Sequence, residues 1–295
     1  MIMSRFESFH PLVIFLYYVI VLFVTMFTNH PIVLLCALTG GIAFSGTLST
    51  GRQLLSDIGF YLLLFILLSL ANPLFTHNGE TVLFFMNDNP VTKEAFVYGE
   101  FIAIMIIAVI FWSKCLNQVM TTDKVLFLFG RVVPKLSLIL AMALRFIPLF
   151  KRQAIIINNS QKTMGLYAAD NMPDKVKGTV RVFDSLIGWS IENSLETAEA
   201  MKARGYGLPE RSTFSIFSMR RSDLMMFGLM ASFLLLFFTG KHAGLLIFQY
   251  YPTLGQIYYS GWSVGLYALT ALFMFFPSII EIMEKIKWKY LESKI

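Results

Sequence analysis

Charge is what this sequence lacks most. Only 14% of its 295 residues are Asp, Glu, Lys or Arg, against 56% hydrophobic and 15% aromatic. A mean hydropathy of +0.66 lies well outside the range of soluble domains and implies an integral membrane protein. Cysteine is nearly absent: Cys36 and Cys115 stand far apart, in or beside apolar segments, with no Cys-x-x-Cys, so neither a disulfide framework nor a metal site is indicated. His10, His30, His77 and His242 are scattered, which leaves histidine-based metal or acid–base chemistry without support. GxxxxGK[ST] does not occur, so the chain does not hydrolyse ATP by P-loop chemistry. The net charge of +6 suggests nucleic acid until its distribution is read: 16 of the 24 Lys and Arg fall between Lys114 and Arg221. Basic clusters beside apolar spans are what membrane orientation produces, and no nucleic acid is needed to explain them.

What is present is a series of apolar runs. Span 1 covers about Pro11 to Phe27 and is closed by Thr28-Asn29-His30-Pro31; no small-residue cleavage pattern follows, so it reads as a retained span rather than a signal peptide. Span 2, Ile32 to Phe44, follows at once and is short enough to slant. Gly51-Arg52-Gln53 reads as a loop, and span 3, Ile58 to Leu70, is expected to stop at Asn72-Pro73. Residues 73–94 are polar and acid-leaning (Glu80, Asp88, Glu94), an external loop. Span 4 is Ala95 to Trp112, span 5 Leu224 to Thr239 and span 6 Trp262 to Phe276, with Leu245 to Tyr251 an apolar stretch in the second external loop. Arg5, Arg52, Lys114, Arg220, Arg221 and the lysines 285, 287, 289 and 294 all fall on one side of a six-span arrangement with both termini cytoplasmic. The expected fold is therefore an all-α integral membrane protein: spans 1–4 in residues 1–113, a cytoplasmic region in 114–222, and spans 5–6 with a basic tail in 223–295.

The middle region is neither a span nor an ordinary loop. Residues 134–165 read as a helix of about 30 residues, on the order of 45 Å long; its first half is apolar and interrupted by Arg145 and Pro148. After a break at Asn171-Met172-Pro173-Asp174, a second long helix runs to Arg204, with an apolar stripe (Val180, Phe183, Ile187, Ile191, Leu195, Ala198, Met201) and Asp184, Glu192, Glu196 and Glu199 on another face. Two such helices should lie along or under the bilayer. The three glutamates form either a solvated face or a pairing surface for basic residues of the first helix. Arg145 is either an interfacial cation or half of a buried bond that fixes the helix bend.

The second helix ends in Ala200-Met201-Lys202-Ala203-Arg204-Gly205, followed by Tyr206-Gly207-Leu208-Pro209. Helices commonly end with a cation in the last turn and glycine just beyond it, and that alone accounts for Arg204 and Gly205. A guanidinium fork flanked by small residues also suits a carboxylate-lined groove on a partner. Residues 134–209 resemble the coupling region of the transmembrane (T) component of energy-coupling factor (ECF) transporters. The resemblance rests on Leu144-Arg145-Phe146-Ile147-Pro148, on Gln161-Lys162 leading to Gly165, on Glu199 through Tyr206, and on Asn72-Pro73-Leu74-Phe75. It implies two long cytoplasmic coupling helices, each ending in an Ala-Arg-Gly-like tripeptide that docks on one of two ATPase subunits. It further implies a substrate-binding membrane (S) subunit beside the chain, vitamin or transition-metal uptake in a prokaryotic cell membrane, ATP and Mg bound by the partners, and no cofactor here.

On that resemblance Ala203, Arg204 and Gly205 form one ATPase contact, supported by Lys202, and Thr163, Met164 and Gly165 the other. The first tip departs from the pattern, because Met164 stands where the arginine is expected. Either it docks by packing, or Lys162 supplies the charge from beside it. Two other classes compete with this reading. A conventional ABC permease carries a cytoplasmic Glu-Ala-Ala motif, which Glu199-Ala200-Met201 matches only superficially and with the wrong spacing to Gly205. An ion-coupled transporter or intramembrane enzyme places ionisable residues mid-span, and spans 1, 2, 3, 5 and 6 have none in their interiors.

Overall fold

A computed structural model describes residues 6–76, 78–86, 89–165, 172–206, 217–257 and 259–292. Arg5, His77, Asp88, Asn171, Gly207 to Pro209 and Lys294, used in the sequence reading, lie outside them. The chain forms two compact units, residues 1–125 with 217–295, and residues 126–216.

The first unit contains α1 (Pro11–Phe27), α2 (Pro31–Leu48), α3 (Gly51–Phe75), α4 (Lys93–Val119), α8 (Arg221–His242) and α9 (Gly261–Glu292), with a short 3-10 turn at Phe6–Ser8 ahead of them. Five of these, α2, α3, α4, α8 and α9, are long and apolar enough to cross a membrane, and α1 is an apolar helix of 17 residues, at the lower limit for a span. This is a multi-pass membrane protein. Local chemistry sets the helix starts. Pro11 and Pro31 occupy first-turn positions where a missing N–H costs nothing. Thr50 and Gln53 form a capping box, and the Thr92 hydroxyl accepts from the Ala95 N–H.

The spans are longer than their apolar runs. α2 extends to Leu48 and is not a short helix, Gly51-Arg52-Gln53 opens α3 instead of forming a loop, and the basic tail continues α9 through Pro277 to Glu292. Polar residues extend a helix once its end reaches water or headgroups, so hydropathy marks the middle of a span and not its ends. Pro73 does not stop α3, which runs on to Phe75. The proline removes the bond that Ser69 C=O would receive, and that carbonyl instead abuts α4: a Cβ built on Gly99 would lie 2.7 Å from the Ser69 oxygen. Residues 73–94 are not wholly irregular either, because β1 (Val82–Met86) and β2 (Asn89–Thr92) pair antiparallel.

α2 lies at the centre, packed on α4 and α9. Its glycines permit this approach: a Cβ on Gly40 would meet Met274 at 3.0 Å, and one on Gly41 would meet Phe111 and Trp112 at 3.2 Å. Around them Tyr17, Phe44, Trp112 and Phe273 are buried; the Tyr17 hydroxyl donates to the Phe273 carbonyl at 2.8 Å, and Trp112 Nε1–H to the Ala37 carbonyl at 2.9 Å.

Hydrogen bonds sort the helix ends into two groups. At one end the Phe6 N–H donates to Glu281 Oε1 (2.9 Å), the His10 N–H to Asp223 Oδ1 (3.0 Å), and Lys285 Nζ to the Thr47 carbonyl (2.6 Å). Lys114 pairs with Asp57, and Lys124 Nζ donates to the carbonyls of Glu7 (2.8 Å) and Val119 (2.9 Å). That end thus holds the starts of α1, α3 and α8 and the ends of α2 and α4, with the basic extension of α9. At the other end Lys241 Nζ donates to the Phe27 carbonyl, Tyr250 to the Asn29 carbonyl and Asn72 to the Ala95 carbonyl, and Tyr267 meets His30. The six helices alternate in direction, as serial membrane crossings must.

The second unit holds most of α5 (Thr122–Val132), a helix the sequence reading did not anticipate, with α6 (Pro134–Thr163) and α7 (Met172–Ala203). α6 and α7 pack antiparallel. Phe150 meets Trp189 edge-on at 5.7 Å, and the N-terminal half of α6 (Ile139, Met142, Phe146) faces the C-terminal part of α7 (Ser194, Thr197, Met201). α6 is continuous through Pro148, not interrupted there.

Candidate functional site: the tips of the two long helices

Both long helices end in glycine with a left-handed backbone: φ is +73° at Gly165 and +74° at Gly205. Only glycine adopts this conformation without steric cost, and it lets the chain fold back over the last carbonyls. At α7 the Gly205 N–H donates to Lys202 C=O (3.0 Å) and the Tyr206 N–H to Met201 C=O (3.0 Å), the double bond pattern of a Schellman cap. At α6 the Gly165 N–H donates to Lys162 C=O (3.0 Å) in the same register. The last helical bonds match as well: Met164 N–H to Ser160 C=O at 3.1 Å, and Arg204 N–H to Ala200 C=O at 3.2 Å.

This geometry sets the two tips in one-to-one correspondence. Thr163 and Ala203 are the last helical residues, Met164 and Arg204 the caps, and Gly165 and Gly205 the reversals. One turn back, Lys162 corresponds to Lys202. Met164 is 74% exposed and Arg204 is exposed too, so both cap side chains are free to meet another molecule. The Thr163 hydroxyl is used along its own helix, donating to Ser160 C=O at 2.8 Å. α6 and α7 run antiparallel, so the two tips sit at opposite ends of the helix pair.

Arg145 is exposed, which removes the reading of a buried bond fixing a bend in α6. Glu192, Glu196 and Glu199 are exposed as well, and among the described residues no ion pair joins them to α6. The apolar stripe meets α6 only at its C-terminal end, at Ala198 and Met201. Half-buried positions Val182, Leu186, Trp189, Asn193, Thr197 and Met201, three or four residues apart, form the face that α7 turns to α6, whereas Val180, Phe183, Ile187, Ile191 and Leu195 are exposed. Val176 and Met172 extend this exposed line toward the start of the helix.

A family model described as CbiQ, cobalt transport protein, matches residues 3–216, a stretch that includes α1 through α7 and both tips. The chain belongs to the CbiQ family. It is also similar to proteins named energy-coupling factor transporter transmembrane protein EcfT. One, from Leuconostoc gelidum subsp. gasicomitatum, is 28% identical over 195 residues, 62% of this chain and 71% of the relative. Another, from Lacticaseibacillus paracasei, is 30% identical over 145 residues, 45% of this chain and 55% of the relative. A third, from Lactococcus lactis subsp. cremoris, is 29% identical over 146 residues, 45% of this chain and 54% of the relative. The resemblance read from residues 72–75 and 134–209 thus agrees with the family matched by residues 3–216.

Three features of this CbiQ-family chain escaped the sequence reading. Asp223 and Glu281 hold the N-terminal segment, and Lys124 is buried at the junction of α4 and α5. Burial lowers the pKa of the Lys124 ammonium, with the Glu7 carboxylate at 3.9 Å opposing that effect. The Arg220-x-x-Asp223 spacing, a carboxylate three residues past a helix start, was a usable signal for the first of these. Lys124 offered none, because its hydrogen bonds go to backbone carbonyls and Glu7 is far from it in sequence.

Proposed function

We propose that this protein is the transmembrane scaffold of an ECF-type ABC importer. It couples ATP hydrolysis by two partner ATPases to movement of a substrate-binding membrane subunit, for vitamin or transition-metal-ion uptake into a prokaryotic cell. ATP and Mg are bound by the ATPases, and this chain is not catalytic. The observation that carries the reading is the matched pair of exposed, glycine-capped tips on long antiparallel helices. ATP-driven closure of the ATPase pair displaces the tips, and stiff helices of 30 and 32 residues convert the displacement into motion of the partner in the membrane.

Two further observations support it. The helix ends that gather Lys114, Arg220, Arg221 and Lys285 share one end of the bundle, and the basic end of a membrane protein faces the cytoplasm, where ATP is. Both termini are then cytoplasmic. The exposed apolar line from Val176 to Leu195, about 28 Å long at 1.5 Å per residue, is the surface for the substrate-binding subunit or the bilayer face.

The test is purification from native membranes, followed by counting of ATPase polypeptides and a measurement of ATP-driven uptake. Arg204→Glu is expected to lose one ATPase and to abolish uptake, because a carboxylate meets a carboxylate-lined groove. An Arg204→Glu protein that keeps its full complex and its uptake would refute the docking role of this tip.

A further inference from the structure

The two tips share one backbone design and carry different chemistry. Aligned on Gly165 and Gly205, they hold lysine at the same position, Lys162 and Lys202. The lysine is therefore common to both and does not substitute for the missing arginine: Lys162 does at one tip what Lys202 does at the other. The differences in formal charge fall at two positions. Met164 stands opposite Arg204, and Asn159, five residues before it, stands opposite Glu199. All four side chains are exposed. An acid and a base at the α7 tip are thus both replaced by neutral residues at the α6 tip. Formal charge is nevertheless conserved: Lys162 alone gives +1, and Lys202, Arg204 and Glu199 together give +1. Across residues 159–165 and 199–205 the net charge is thus the same, and what differs is the short-range bond each tip can form.

Resting on the functional reading above, we propose that the two ATPase contacts are not interchangeable. The α7 tip enters a groove that bears a carboxylate for the Arg204 fork. The α6 tip enters an apolar socket, without a carboxylate, that takes the Met164 thioether. Each mismatch is unfavourable for a stated reason. A guanidinium in an apolar socket is a buried charge without a partner, and a methionine in the acidic groove leaves a desolvated carboxylate unpaired. An unbranched thioether fills an irregular socket well, whereas it makes no charge-assisted bond. The pair of tips therefore fixes which ATPase surface sits at which end of the α6–α7 pair.

The experiment isolates the complex from native membranes, identifies ATPase polypeptides by photolabelling with azido-ATP, and counts them per chain by native mass spectrometry. The wild type is expected to hold two. Met164→Arg is expected to hold one, with the affinity of the lost contact down on the order of a hundredfold. Met164→Leu, which keeps an apolar side chain of similar volume, is expected to hold two and to retain uptake. The proposal is overturned if Met164→Arg keeps both ATPases with equal or greater affinity, because the α6 groove would then have retained an acid. It is equally overturned if Met164→Leu loses one, because packing of an apolar group would not be what the socket requires. A wild-type chain that holds no ATPase would remove the functional reading itself, and the proposal with it.

Discussion

Removal of the Asp223 carboxylate is expected to destabilise the bundle by about 3 kcal/mol. Asp223 is 2% exposed, at the start of α8, and each of its oxygens accepts one backbone N–H: Oδ1 from His10 at 3.0 Å and Oδ2 from Arg220 at 2.7 Å. Hydrogen bonds to a charged group contribute about 1.5–3 kcal/mol each, which sets an upper range of about 3–6 kcal/mol for the pair. The Arg220 N–H lies at an exposed residue, so water replaces that partner in the alanine variant and most of its share is recovered. The His10 N–H lies at a residue 5% exposed, where water does not take the place of the carboxylate, so its share is lost in full. Asp223→Asn keeps one neutral acceptor and should fall between wild type and Asp223→Ala. Thermal unfolding in detergent, followed by tryptophan fluorescence, reads the effect: at roughly 2–4 °C per kcal/mol, Asp223→Ala should melt about 6–12 °C lower. Melting within 2 °C of wild type would show that α1 is held to α8 by packing alone and would refute the reasoning.

Two further outcomes follow from local geometry. His30 is buried between α1 and α2, its Nε2 meets the Tyr267 hydroxyl at 3.0 Å, and its Nδ1 has no partner among the described residues. Burial lowers its pKa, so below about pH 6.5 the unfolded chain takes up a proton that the folded chain resists. Stability should fall as the pH drops through that region, by at most about 1.4 kcal/mol per pH unit, and His30→Gln should flatten the dependence; a pH-independent difference in melting between the two proteins would contradict this. Gly205→Ala places a Cβ on a residue at φ +74°, at a cost of about 1 kcal/mol. The cap lies at an exposed tip, so global melting should hardly move while ATPase affinity drops about fivefold; unchanged affinity in a titration of the purified complex would argue that the reversed backbone is irrelevant to docking.

The sequence revealed whatever depends on composition or on a local rule, and little that depends on which surfaces meet. Every span was visible as an apolar run, yet the ends were misplaced, because Gly51 to Asp57 and Glu281 to Glu292 are helical and polar together. Pro73 was expected to end α3, and the expectation fails for a tertiary reason: the carbonyl that the proline leaves unbonded lies against Gly99, which has no side chain to exclude it. The hairpin of Val82–Met86 with Asn89–Thr92 was hidden within a stretch whose acids and turn residues made it read as loop, and α5 was too short, at 11 residues, to stand out.

The helix tips were legible for the opposite reason. A C-terminal glycine is a rule of the backbone itself, so Gly165 and Gly205 announced both reversals without any knowledge of what surrounds them. What the pattern could not supply was the comparison between them. Hydrophobic periodicity marked the stripe on α7 and set it along the bilayer without showing which residues meet α6; packing puts Trp189 and Thr197 on the covered face while Phe183 and Ile187 stay open. In the same way the motif at Arg204 was found at once, whereas Asn159 opposite Glu199 became visible only when the two glycine caps gave a common register. A substitution at Met164 alone is compatible with drift at a solvated tip. Absence of both the acid and the base from the α6 tip, with the lysine shared, fits the two unlike partner surfaces proposed above.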